Sequence, residues 1–132
     1  MIDMTLVLNI AQLMAPILLS ISFLIHLSVL AGILPEEIVW GSRIKSRRQL
    51  NNLGGISLLA NLFFLWVVLQ AGGFVNVLFN SLVLKIIMWL MTLLFTLNVL
   101  GNLSSPNKTE RLIFTPLALL LSVSCAIIAF HL

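Results

Sequence analysis

His26 and Asn61 are the side chains best placed by type and spacing to bind something, because each lies inside a long apolar run. An imidazole or a carboxamide surrounded by hydrocarbon needs a polar partner, and intramembrane ionisable residues are functional candidates for that reason. At about 1.5 Å of helix rise per residue, both lie about 12 Å in from the same side of their runs, so they can meet. Thr96, Asn98 and Thr115 belong to the same half of the chain's apolar segments. The candidate ligand set is therefore His26, Asn61, Thr96, Asn98 and Thr115, offering hydrogen bonds to a lipid headgroup or a small amphiphile. The plainer role for His26 and Asn61 is helix-to-helix hydrogen bonding, worth about 0.6–2 kcal/mol each.

Catalysis has little to work with. The chain holds no HExxH, no P-loop, no nucleophile elbow and no tyrosine, and Asp3, Glu36, Glu37 and Glu110 all lie near the ends of apolar runs. The missing intramembrane carboxylate also weighs against a proton-coupled exporter. The single cysteine, Cys125, excludes an intramolecular disulfide and a cysteine-rich metal site. A haem held by His26 and His131 would need the two at matching depth, and their positions in the chain do not provide it. No catalytic residue, metal site or cofactor is expected.

These residues must be positioned by membrane helices. With 61% hydrophobic and 8% charged residues, the chain is far from the roughly 25% charge of a soluble domain. Its 132 residues divide into four apolar spans, near 9–34, 53–71, 82–101 and 110–131. Each is long enough for a hydrocarbon core of about 30 Å. The first run is too long for the core of a signal peptide and has no basic residue before it, so it reads as a retained helix, with a kink expected at Pro16. Asn51 and Asn52 are expected to cap the second span, Asn80 and Ser81 the third, and Thr109 with Glu110 to open the fourth. Glu36 and Glu37 suit the first turn of a short interfacial helix. The fold class is an all-α, integral membrane four-helix bundle in a single domain.

Residues 35–52 form the one long polar island. Arg43, Lys45, Arg47 and Arg48 lie there, Lys108 and Arg111 flank the third connection, and Lys85 alone lies toward the other side. By the positive-inside rule, loops 35–52 and 102–110 are cytoplasmic and both termini are outside. Trp40, Arg43, Lys45, Arg47, Arg48 and Arg111 are candidates for gripping lipid headgroups, so the expected partners are membrane lipids, preferably anionic, and not nucleic acid.

Small and polar residues at helical spacing mark packing faces in lipid, where hydrophobicity cannot. Such stripes comprise Gln12 and Ser22 on the first helix, Gly54 and Ser57 on the second, and Ala118, Ser122, Cys125 and Ala129 on the fourth. The third helix is two-sided. Asn98 and Asn102 occupy one sector, and Lys85, Trp89, Thr92 and Thr96 a nearly opposite one, leaving one side for a ligand or for a second copy in a homo-oligomer.

Residues 40–46 (WGSRIKS), 97–102 (LNVLGN) and 110–116 (ERLIFTP) together resemble a family of small four-helix bacterial membrane proteins of uncharacterised function. The resemblance implies a bacterial inner membrane and a cytoplasmic rim built from Trp40, Arg43, Glu110, Arg111 and Thr115. It carries no activity. In that rim Glu110 is placed to pair with Arg43 and lock two loops together. The function expected is a non-enzymatic protein binding a lipid or small amphiphile in the cytoplasmic half of the bundle. The alternatives are a structural subunit of a membrane complex and, third, a small transporter or channel.

Overall fold

The computed structural model describes residues 3–40 and 43–132. Gly41 and Ser42, in the middle of one sequence motif, lie outside the described residues. Among the described residues five helices follow in chain order: α1 (Met4–Leu30), α2 (Glu37–Trp40), α3 (Arg47–Ala71), α4 (Ser81–Leu103) and α5 (Lys108–Phe130). There is no strand among the described residues. Four of the helices, α1, α3, α4 and α5, are long and apolar enough to cross a bilayer. The chain is an all-α bundle of an integral membrane protein.

Side-chain oxygens set the helix starts, because in lipid the first backbone N–H groups find no water to satisfy them. Asp3, Ser46, Asn80 and Asn107 each accept a hydrogen bond from the first turn of α1, α3, α4 and α5 respectively. Asn80 is one of the two caps the sequence indicates. For α3 the cap is Ser46, not Asn51 or Asn52, so the helix begins with Arg47, well before the apolar run that starts at Leu53. Its first turn and a half is polar and stands clear of the apolar span. For α5 the cap is Asn107, one turn ahead of Glu110. Helix α1 runs unbroken through Pro16, whose carbonyl accepts the Ser20 hydroxyl at 2.8 Å, and ends at Leu30.

Helix α5 is the hub of the bundle. It packs along α4 and on α1, while α1 carries α3 on its other side, giving the spatial order α3, α1, α5, α4. Helices α3 and α4 touch only sparsely. They meet through the Phe64 and Phe95 rings, whose centroids are 6.0 Å apart, while Trp66 packs on Phe79, just ahead of α4, at 5.1 Å. The main core joins Ala15 and Leu19 of α1, Val67 and Val68 of α3, Met88 and Met91 of α4 and Leu121 and Cys125 of α5. A second apolar cluster, built on Val29, Val39, Leu50 and Phe114, ties α2 to the ends of α1, α3 and α5. Buried Gly54 lets α3 come close to α1, since a Cβ there would lie 3.1 Å from Leu30 Cδ1.

The small-residue strip on α5 is used inside the chain. Ala118, Ser122, Cys125 and Ala129 are all buried. The Ser122 and Thr96 hydroxyls are 2.7 Å apart, and Ser122 Oγ also donates to the Thr92 carbonyl at 3.3 Å. The Thr92 and Thr96 sector of α4 thus faces α5. At the opposite end, Lys85 Nζ donates to the Leu132 carbonyl at 3.3 Å. Gln12 is half-buried on α1.

Gln70 holds the turn between α3 and α4. It is 1% exposed, and its Oε1 accepts the backbone N–H groups of Leu78 and Phe79 at 2.9 and 3.1 Å. Gly73 at φ 76° makes the reversal that brings them there. Replacing Gln70 with Leu leaves two backbone donors without that acceptor. The variant is expected to lose about 1–3 kcal/mol in reversible unfolding from detergent micelles; a loss under roughly 0.5 kcal/mol, the scale of an ordinary surface substitution, would mean that the turn is held by something else.

Candidate functional site

Between the ends of α1, α3, α4 and α5 that face the polar loops lies a cavity of about 260 Å³. Ser22 and His26 of α1, Ser57 of α3 and Asn98 and Asn102 of α4 supply its polar wall. Phe95, Leu117 and Leu121 are its apolar lining deeper in the bundle, and Val39, Trp40 and Arg43 approach from the loop. The cavity lies beside the sparse contact between α3 and α4, where side chains do not fill the space between the helices.

His26 is fixed by its own helix. Its Nδ1 lies 2.8 Å from the Ser22 carbonyl oxygen, which can only accept, so Nδ1 carries the proton and donates. In the neutral ring Nε2 is then an acceptor. The ring packs edge-on against Trp40 at 6.4 Å and Phe114 at 6.0 Å, centroid to centroid. Those two aromatics bring α2 and the start of α5 against α1.

Asn61 does not reach His26 directly. Its Nδ2 donates to Ser22 Oγ at 3.0 Å, so Ser22 is the node between them. Asn61 is buried, lies behind the cavity wall, and keeps an Oδ1 with no partner among the described residues. Thr96 is bonded into the α4 and α5 seam, with its hydroxyl 2.7 Å from the Thr92 carbonyl. Thr115 does not line the cavity, and its buried Oγ1 has no partner among the described residues. Of the five candidate ligand residues, the structure brings only His26 and Asn98 to the cavity surface. Three others come with them: Ser22 and Ser57, which the sequence marks as packing positions, and Asn102, which it marks only as sharing a helix sector with Asn98. A polar residue on the seam side of one turn and the cavity side of the next carries no separate signal in periodicity.

The loop closes over this space through an ion pair. Arg43 binds Glu110, whose side chain is 1% exposed, while that of Arg43 is 58% exposed. The pairing expected from the sequence is present. Arg43 also donates through Nε to the Trp40 carbonyl at 2.7 Å and through Nη2 to the Val39 carbonyl at 3.1 Å, which seats α2 against the pair. Glu110 accepts a second bond from Ser105 Oγ at 2.6 Å, and its backbone N–H is capped by Asn107. Arg111 donates to the Ser105 carbonyl at 2.6 Å, bracing the same turn. Lys45 and Arg48 are exposed, and Arg47 reaches back to the Leu30 carbonyl at 3.0 Å.

This arrangement offers hydrogen bonds and little reactivity. The Glu110 oxygens are taken by Arg43 and Ser105, and the serines at positions 20 and 28 return their protons to carbonyls four residues earlier. No family model, no curated protein and no solved structure matches this chain.

The pair is lopsided, and its mutants should be too. Arg43→Ala strands a buried carboxylate, whereas Glu110→Gln leaves a guanidinium that water can reach. Discounted for the exposure of Arg43, the first is expected to cost about 1–3 kcal/mol and the second about half as much, with Glu110→Gln partly rescuing Arg43→Ala in a double-mutant cycle. Equal, additive losses would show that the two residues act independently.

Proposed function

We propose that this protein binds the polar head of a membrane amphiphile in the cavity between the loop-facing ends of its four spans. The observation that carries the reading is the cavity itself, walled by His26, Ser57, Asn98 and Asn102 and deepening onto Phe95 and Leu121. At about 260 Å³ it falls just below the roughly 300–1,000 Å³ of a pocket that swallows a whole drug-sized ligand. On this reading it takes a headgroup, and the acyl chains lie along the sparse contact between α3 and α4. The basic loop sits on the cytoplasmic face of a bacterial inner membrane, as the positive-inside rule and the family resemblance both favour. There Lys45, Arg47 and Arg48 hold the anionic surface, at about 1 kcal/mol per basic residue, while Arg43 closes the roof.

A cavity-filling variant tests this. Asn98→Trp puts an indole into the space, and Leu59→Trp puts the same group on the exposed face of α3. In native mass spectrometry of protein extracted in mild detergent, the parent and Leu59→Trp should retain a lipid adduct, and Asn98→Trp should lose most of it while melting within a few degrees of the parent. Equal adducts on all three would mean that the retained lipid sits on the outer surface and that the cavity is not a headgroup site.

A further inference from the structure

We infer that the headgroup is uncharged and hydroxylated, the glycerol or sugar of a neutral lipid instead of a phosphate or carboxylate; this rests on the cavity being a headgroup site. Charge is the first argument. Among the described residues lining the cavity, only Arg43 and His26 are ionisable, and Arg43 is already matched by the buried carboxylate of Glu110. An anionic headgroup would find no spare cation in the wall, and a cationic one no spare anion, so either would stay uncompensated by the protein. The remaining loop cations do not line it, and Arg47 is turned toward the Leu30 carbonyl.

Hydrogen-bond direction is the second argument. The neutral His26 ring spends its proton on Ser22 and keeps an acceptor, while Asn98 and Asn102 each present one acceptor and a two-proton donor, and Ser57 one of each. A fully ionised phosphate only accepts and an ammonium only donates, so each satisfies half of such a wall. A hydroxyl does both. An uncharged hydroxylated headgroup uses donors and acceptors alike without asking for a charge.

Dioleoylglycerol and dioleoyl phosphatidic acid differ by the phosphate alone, which makes them the probes. Titrated into delipidated full-length protein, with salt high enough to screen the exposed loop cations, the diacylglycerol should bind roughly ten-fold tighter. Asn102→Leu should weaken the diacylglycerol and leave the phosphatidic acid unchanged. Glu110→Gln frees the Arg43 charge and should move the preference toward phosphatidic acid. If phosphatidic acid binds the parent as tightly or tighter, and Asn98→Trp abolishes it, the headgroup site stands and its neutrality is wrong. If Asn98→Trp leaves both lipids bound as before, the headgroup site itself is wrong.

Discussion

A carboxylate removed from water is tolerable only beside a cation, and the Arg43 and Glu110 pair meets that requirement at the point where three parts of the chain converge. Glu110 is delivered by the first turn of α5, and its burial is what forces the loop after α2 to fold over it. Once Arg43 is there, its other nitrogens donate to the Trp40 and Val39 carbonyls, and Trp40 is carried against the His26 ring. The roof of the cavity and one of its walls thus follow from one electrostatic constraint. The apolar cluster around Val39 and Phe114 adds packing to the same closure.

The rest of the bundle obeys the scarcity of water in hydrocarbon. Several polar side chains inside the spans are satisfied by near neighbours: Ser22 serves both His26 and Asn61, Ser122 joins Thr92 and Thr96, and Gln70 Oε1 serves a whole turn. These bonds hold α3 to α1 and α5 to α4 as two pairs, joined through the α1 and α5 interface. Nothing of this kind holds α3 to α4 among the described residues. Their contact is correspondingly sparse, and Ser57, Asn98 and Asn102 line the cavity beside it.

Much of this architecture is legible in the sequence because lipid makes harsh demands. Four long apolar runs, a basic loop and Asn80 as a cap can each be read without coordinates, and so can the partnership of Glu110 with Arg43. What is not legible is the choice among polar residues that share a helix face. Ser46 outcompetes Asn51 as a cap because the helix extends past the apolar run, where hydropathy is silent. Thr96 and Asn98 are two residues apart and so point to different helix neighbours. Ser57 becomes a cavity residue only because α4 stands away from it, and that separation is a property of packing order, which periodicity does not encode.

On the proposed reading, the cavity communicates with the bilayer between α3 and α4, and the Arg43 roof restricts its access to water. A nitroxide attached at Ser57→Cys, in a Cys125→Ser background and in lipid vesicles, reports this directly by its collisions with two relaxing agents. A site that faces lipid in this way is expected to let apolar oxygen relax the label more strongly than a water-soluble nickel chelate does. A label relaxed chiefly by the nickel chelate would make the space an aqueous vestibule and contradict the claim.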